Sequence, residues 1–204
     1  MEGFKTVLVG STNVGKSCII HRILGNEFDS TCEPTVGAVT KNYNNPLLSK
    51  KDLILTDTAG QEKFKSLVPL YFRGAAAAII VYSIDIRESL NDVEETWKNF
   101  IEDYQIKIVY LVENKVDLRN DEDYENKDEL LSEEDGRKLA DKLGYQFMSV
   151  SAKTGHNVKT LADEVLINCV NSNENKPKPF PIPEPIEQDH KKDDTFFGNL
   201  LKKC

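Results

Sequence analysis

The chain has 204 residues, 39% of them hydrophobic, and a formal net charge of −8. This size and composition predict one globular domain with a tail, large enough to bury a core. The negative charge argues against a general nucleic-acid-binding protein, which needs a basic face to displace counterions from phosphates. The four cysteines show no CxxC pair and no histidine partner at metal-ligand spacing, so neither a disulfide framework nor a zinc site is predicted.

The first 170 residues alternate between segments of strand and helix character. Residues 4–10 form a short β-branched run that predicts a buried strand, and residues 16–24 have the pattern of a helix. Three later apolar runs, at 52–56, 75–84 and 106–113, are too continuous for half-exposed strands and predict buried central ones. This alternation predicts a doubly wound α/β sheet, with ligand sites at the carboxyl ends of the strands.

Two further segments have apolar residues three and four positions apart, which predicts helices. The first carries Leu90, Val93, Trp97, Phe100 and Tyr104, and the second carries Leu161, Val165, Leu166, Cys169 and Val170. Between them, "SEED" is a capping-box pattern that predicts a helix with Ser132 as its N-cap and Asp135 three residues later.

The stretch "GSTNVGKS", residues 10–17, follows the first predicted strand and opens the first predicted helix. It fits the pattern GxxxxGK[ST], in which glycines let the backbone N–H groups turn toward a phosphate and the helix N-terminus adds its dipole. In such a loop Lys16 reaches the β- and γ-phosphates and Ser17 binds Mg²⁺. A flexible glycine loop without a ligand is the alternative for this stretch taken alone.

Three other polar motifs also follow predicted strands. "DTAGQ" at 57–61 supplies an aspartate for a metal shell and a glycine whose N–H could face a γ-phosphate. "NKVD" at 114–117 ends in an aspartate that can accept from both N1–H and the N2 amine of guanine, a pairing that adenine lacks, so the motif favours GTP over ATP. "SAKTG" at 151–155 follows one further strand in this interpretation and could reach the guanine oxygen through its backbone.

GSTNVGKS, Thr35 in "EPTVG", DTAGQE, NKVD and SAK resemble the five signature boxes of Ras-superfamily small GTPases, over residues 4–170. The resemblance implies a P-loop α/β domain with a mostly parallel six-stranded sheet flanked by helices, and GTP or GDP with Mg²⁺ as ligands. It implies Ser17, Thr35 and Asp57 at the metal and Gln61 as the group that orients the attacking water. It further implies nucleotide contacts from Asn13, Val14, Gly15, Lys16, Ser17, Cys18, Phe28, Thr35, Gly60, Asn114, Lys115, Asp117, Ser151, Ala152 and Lys153.

"SLVPLYFRGA" and the Gly-Ala of "TVGAV" are similar to the Rab family and lean toward its endosomal subgroup. That implies a slow GTPase switch in vesicle-mediated transport, monomeric, with an exchange factor, a GTPase-activating protein, a GDP-dissociation inhibitor or escort protein, and effectors as partners. No apolar run has the length of a signal peptide or membrane span, so we expect a cytoplasmic protein that cycles to the cytosolic face of intracellular membranes. Glu113 departs from the glycine that is common before NKxD.

Two other functions fit part of the pattern. Thr12 lies at a loop position near the γ-phosphate and motivates a GTP-binding module with negligible hydrolysis, although the presence of Gln61 argues against it. A P-loop ATPase or nucleotide kinase is disfavoured by NKVD. The resemblance implies a first switch loop at about residues 26–40, and none of the five arginines lies in it. We therefore expect no built-in arginine finger and a rate of unaided GTP hydrolysis of order 10⁻³ s⁻¹ or below.

The composition changes after residue 170. Five of the eight prolines lie at every second position from 177 to 185, which predicts an extended, semi-rigid spacer. We therefore expect a GTP-binding domain over 1–170 and a flexible, proline-rich tail over 171–204. The tail ends in one cysteine, Cys204, with neither the two terminal cysteines usual in Rab proteins nor a CaaX box, so the resemblance alone suggests lipidation at this residue.

Overall fold

The computed structural model describes residues 3–29, 35, 38–58 and 68–172. Within these ranges the strands are β1 (Gly3–Val9), β2 (Ala38–Tyr43), β3 (Asp52–Thr58), β4 (Ala77–Ser83), β5 (Ile108–Asn114) and β6 (Gln146–Ser149). The helices are α1 (Lys16–Ile23), α2 (Val68–Phe72), α3 (Arg87–Asp92), α4 (Lys98–Asp103), α5 (Glu133–Leu143) and α6 (Val158–Asn171). A π-helical turn at Val93–Trp97 joins α3 to α4, and short 3₁₀ turns lie at Val116–Asn120 and Lys127–Glu129.

The six strands form one sheet in the order β2-β3-β1-β4-β5-β6. All neighbouring pairs are parallel except β2 with β3, which is antiparallel. The order therefore runs outward in both directions from β1, and in such sheets the ligand crevice lies at the carboxyl ends of the strands beside that reversal. The predicted α/β class and the mostly parallel six-stranded sheet are confirmed.

The sheet is covered on both faces. One apolar cluster packs α1 and α6 against residues such as Leu8 and Tyr110, and the other packs α2 to α5 against Val9 and Tyr82. Every residue of β4 and β5 is buried, which explains the apolar runs by which they were predicted. Among the described residues, no helix is both long and apolar enough to cross a bilayer.

Three elements differ from the sequence-based expectation, and the first is the short helix α2, which was not predicted. The edge strand β2 was not predicted, because five of its six residues are exposed and it has no apolar run. The helix expected around 90–104 is interrupted by the π-helical turn, although Trp97 is buried there as expected. The capping box of α5 is confirmed, since the N–H of Asp135 donates to Ser132 Oγ at 3.2 Å and the N–H of Ser132 donates to Asp135 Oδ2 at 3.0 Å.

Candidate nucleotide-binding site

The loop between β1 and α1 has glycine at two positions where the backbone requires it. Gly10 has φ of 142° and Gly15 has φ of 92°, both in the region that side chains disfavour. A Cβ at Gly10 would lie 2.1 Å from the carbonyl oxygen of Val81, and one at Gly15 would lie 2.3 Å from Asn114 Nδ2. The loop therefore approaches β4 and β5 more closely than a residue with a side chain would permit.

Lys16, at the start of α1, is a buried cation within this loop. Its Nζ donates to the carbonyl oxygens of Gly10 at 2.9 Å and Ser11 at 2.7 Å. Burial lowers the pKa of Lys16 to about 8, an effect that the nearby Asp57 carboxylate opposes. A positive group at the N-terminus of a helix is suited to bind phosphate oxygens.

Three oxygen-bearing side chains from separate parts of the chain meet beside Lys16. Ser17 Oγ donates to Asp57 Oδ2 at 2.6 Å, Thr35 Oγ1 donates to the same oxygen at 3.0 Å, and the two hydroxyl oxygens lie 2.7 Å apart. The other carboxylate oxygen, Asp57 Oδ1, is buried with no hydrogen-bond partner among the described residues. Hard oxygen ligands of this kind, with one buried oxygen left to satisfy, fit Mg²⁺.

The structure describes two further residues that were predicted to contact the nucleotide at the phosphate end of the site. Asn13 is exposed with φ of 67°, and Cys18 is partly buried on α1, packed against the core. Gly60, Gln61 and Cys204 lie outside the described residues, so their predicted roles stay predictions.

At the other end of the site, Asn114 joins three of the predicted motifs. Its side-chain Nδ2 donates to the carbonyl oxygen of Val14 at 2.8 Å, and its Oδ1 accepts from the N–H of Ala152 at 3.1 Å. Asn114 is 1% exposed. The side chain thus holds the phosphate loop, the NKVD segment and the SAK segment together at the carboxyl edge of the sheet.

Asp117 is held by the SAK segment. Ser151 Oγ donates to Asp117 Oδ1 at 2.5 Å, and Lys153 Nζ lies 4.0 Å from Asp117 Oδ2 and 3.3 Å from Asp121 Oδ2. Ser151 Oγ also accepts from the N–H of Thr154 at 3.0 Å, which fixes the hydroxyl. The carboxylate that was predicted to read guanine is therefore oriented by a second motif.

Several contacts of the site were not predicted. Lys115, at φ of 65°, pairs with Asp85 just beyond β4 at 3.0 Å. Ser11 donates to the carboxylate of Asp92 at the end of α3. Asp85 directly follows a predicted buried strand. This position could have indicated that Asp85 lies at the site, because the carboxyl ends of parallel strands share one edge of the sheet. Phe28, predicted to pack beneath the base, is 38% exposed after α1.

The sequence model of the Ras family matches residues 5–171 of this chain. The GTP-binding protein YPT52 of Saccharomyces cerevisiae is 37% identical over 191 residues, which cover 81% of each chain. Rab-22A of Mus musculus is 35% identical over 174 residues, covering 81% of this chain and 82% of its own. The protein named Rab-5B of Dictyostelium discoideum is 37% identical over 171 residues, covering 80% and 74%.

These similarities, with the phosphate loop and its parallel sheet, agree with the family that the sequence motifs indicated. They support neither a nucleotide kinase nor a module without hydrolysis. The chain belongs to the Ras family and is a Rab-like small GTPase, a GTP/GDP switch of membrane traffic.

Proposed function

We propose that the loop after β1 and the ends of β3, β5 and β6 bind Mg²⁺·GTP and GDP in one continuous site. The observation that carries the proposal is the buried, unsatisfied Asp57 Oδ1 beside Ser17, Thr35 and Lys16. Ser17 and Thr35 would hold the metal directly and Asp57 would hold it through water. When bound, Mg²⁺ supplies positive charge that neutralises the phosphate oxygens.

The phosphates are bound by Lys16 and by the backbone of the phosphate loop. Lys16 would exchange its two loop carbonyls for phosphate oxygens, and Gly60 would donate its N–H to the γ-phosphate. Gln61 would orient the attacking water. Because no arginine lies in the first switch loop, hydrolysis without a partner is slow, and an arginine from a GTPase-activating protein would accelerate it.

The guanine base is read by Asp117. Its carboxylate accepts two hydrogen bonds from guanine, and the bond from Ser151 supports this role by fixing its orientation. Asn114 and Ala152 keep this end joined to the phosphate loop. The site therefore discriminates guanine from adenine through hydrogen bonds that adenine leaves unmade.

The loops around Thr35 and Gly60 respond to the γ-phosphate, and effectors read them in the GTP state. An exchange factor, a GTPase-activating protein, a GDP-dissociation inhibitor and effectors are the expected partners of a monomeric switch. Relatives named Rab-22A and Rab-5B support endosomal membranes as the site of action, at their cytosolic face.

The chain is divided into a GTP-binding domain over 1–170 and a proline-rich tail over 171–204. The end of α6 at Asn171 and the end of the family match at residue 171 support this boundary. We propose Cys204 as the lipidated residue that attaches the tail to membranes. Mass spectrometry of the native protein tests this, and an unmodified Cys204 in the membrane-bound fraction would exclude it.

The metal site is tested by the release of a fluorescent GDP with Mg²⁺ present and with EDTA. Release from the unaltered protein should be slower with Mg²⁺ by at least roughly 10-fold. Ser17→Ala and Asp57→Asn should release GDP at nearly the same rate in both buffers, because each removes one of the groups proposed to hold the metal. Asp52→Asn, at the other end of β3, is the control and should keep the full difference. A full Mg²⁺ effect in Asp57→Asn would contradict the assignment.

A further inference from the structure

An ion pair between the buried Glu113 and the partly exposed Arg119 spans the loop that carries Asp117. Glu113, the residue before Asn114, is fully buried, with 0% of its surface exposed. Arg119 reaches it with both terminal nitrogens, Nη1 to Oε1 at 2.8 Å and Nη2 to Oε2 at 2.9 Å. The hydroxyl of Tyr82, on β4, donates to Oε2 at 3.0 Å.

Glu113 lies in β5, of which every residue is buried, so this carboxylate depends on its partners. Tyr82 belongs to the apolar cluster that packs the sheet against α5, and Phe147 packs against the same cluster. Residue 136 of α5 is glycine, and a Cβ there would lie 2.0 Å from the Tyr82 hydroxyl oxygen. A charge in such a place is tolerated when it is paired and hydrogen-bonded, and it is strongly unfavourable when one partner is removed.

The pair closes the base-binding loop at both of its ends. Glu113 stands one residue before Asn114, and Arg119 stands two residues after Asp117, in the 3₁₀ turn Val116–Asn120. A bidentate guanidinium–carboxylate pair fixes the relative orientation of the two side chains as well as their distance. Glu113, before the loop, and Arg119, after Asp117, are therefore bonded to each other where the two ends of the loop meet.

Backbone hydrogen bonds complete a closed path around the same loop. Arg119 Nη2 also donates to the carbonyl oxygen of Leu131 at 2.9 Å. The N–H of Leu131 donates to Ile84 at 2.9 Å, and the N–H of Ile84 donates to Asn114 at 3.2 Å. The loop is thus joined through Arg119 to the end of β4 and back to its own first residue.

We propose that the Glu113–Arg119 pair is a positioning device for guanine recognition, which fixes the NKVD loop so that the Asp117 carboxylate stays aligned with the base. A glycine at position 113 would have no side chain that could make such a pair. The inference depends on the proposed role of Asp117. It assigns to Glu113 and Arg119 no contact with the nucleotide.

A purely structural role and a positioning role differ in one measurable quantity. Inosine diphosphate lacks the exocyclic amine, so it makes one hydrogen bond fewer to Asp117 than GDP does. If the pair only stabilised the fold, its loss would weaken the binding of both nucleotides equally. If it aligns Asp117, its loss weakens GDP binding more and lowers the preference for GDP over inosine diphosphate.

The main variant is the double substitution Glu113→Leu with Arg119→Leu. Replacing an ion pair that has a buried carboxylate by apolar side chains is often neutral or stabilising, so we expect this variant to keep the fold while it removes the link, with the loss of the acceptor for the Tyr82 hydroxyl as the main cost. Glu113→Gln retains the shape of the side chain and should give an intermediate effect. The matched control is Lys142→Ala, which breaks the exposed pair with Glu94, 2.7 Å apart, at a distance from the site.

Affinities for GDP and inosine diphosphate are measured by competition, with urea unfolding as the check on the fold. We expect the double variant to lose roughly 10-fold in its preference for GDP and to release GDP faster by a similar factor. Lys142→Ala should match the unaltered protein. A preference within about 2-fold of the unaltered value in a folded double variant would overturn the proposal.

Failure of the proposal is distinguishable from failure of the proposed function. The unaltered protein and Asp117→Asn are measured with the same nucleotides. If the unaltered protein prefers GDP and Asp117→Asn removes that preference, Asp117 reads the base whatever the ion pair does. If Asp117→Asn leaves the preference intact, the role of Asp117 is wrong and the positioning role falls with it.

Discussion

The phosphate end and the base end of the site satisfy their buried polar groups in different ways. At the phosphate end, Lys16 is bonded to loop carbonyls, and Asp57 keeps one buried oxygen without a partner among the described residues. At the base end, both polar atoms of the Asn114 side chain are bonded, and Asp117 is held by Ser151. The phosphate end therefore holds charged groups that a ligand can bind, whereas the polar side chains of the base end already bind one another or the backbone.

This difference separates two ways in which substitutions act. At the phosphate end, removing a charged group should change affinity or turnover while the fold is kept, because the group is costly to bury without a ligand. At the base end, the carboxylate that we propose to contact guanine is held by side chains to which we assign no contact with the nucleotide. Substitutions at the two ends should therefore differ in what they change.

The largest effect is expected for Gln61→Leu, on hydrolysis stimulated by an activating protein. Leucine has no polar atom to orient water, so an acceleration of up to about 10⁵-fold, the factor that an activating protein gives Ras, should be lost. Binding of GTP should be unchanged. Single-turnover release of phosphate measures the effect, and Gln146→Leu, exposed on β6, is the control. Persistent stimulation would assign water orientation to another residue.

Lys16→Met should weaken GDP binding by on the order of 10²–10³-fold, since removing one partner of a buried charge pair costs about 2–5 kcal/mol. The nucleotide-free protein should unfold at an equal or higher urea concentration, because burial already lowers the pKa of Lys16 to about 8 and methionine carries no charge to desolvate.

Lys5→Met is the matched control for Lys16→Met. Lys5 Nζ donates to the carbonyl oxygen of Arg73 at 2.8 Å, beyond the end of α2. Its loss should lower the unfolding free energy by about 1 kcal/mol and leave GDP affinity unchanged. Equal effects of the two substitutions on GDP affinity would contradict a phosphate-binding role for Lys16.

Local sequence patterns were enough to predict the phosphate loop and the central strands. The order strand, glycine loop, helix places Gly15 and Lys16 by itself, and a continuous apolar run is sufficient to identify β4 and β5. The edge strand β2 was missed because its exposed residues have no periodic signal. The π-helical turn was missed because apolar spacings of three and four also fit an unbroken helix.

The support of the base end could be predicted only in part. A carboxylate inside a buried apolar run signals that a partner must exist, since such a charge is rarely buried alone. The sequence offers both Lys115 and Arg119 as nearby cations. The turn geometry decides between them, because Lys115 pairs with Asp85 and Arg119 pairs with Glu113.

Asp117→Asn should lower GTP affinity by on the order of 100-fold and improve the binding of xanthosine triphosphate, whose exocyclic oxygen suits an amide donor. Competition binding with both nucleotides measures the exchange of preference. Asp121→Asn is the matched control, because Asp121 shares Lys153 with Asp117 and carries the same charge. Unchanged GTP affinity in Asp117→Asn would remove this residue from the base site.

The smallest effect is expected at the N-terminus of α5, which packs beside the base end without entering the site. Ser132→Ala removes the N-cap and should lower the unfolding free energy by about 1 kcal/mol at pH 7, with GDP release unchanged. Hydrogen bonds from Ser132 lower the pKa of Asp135, so the cap stabilises the fold above the unfolded pKa of about 3.9 and weakens as the pH falls through the folded value. Urea unfolding of both proteins at pH 7 and near pH 3 should show the difference shrinking at the lower pH. Faster GDP release from Ser132→Ala would mean that support of the base end extends beyond Glu113 and Arg119 into α5.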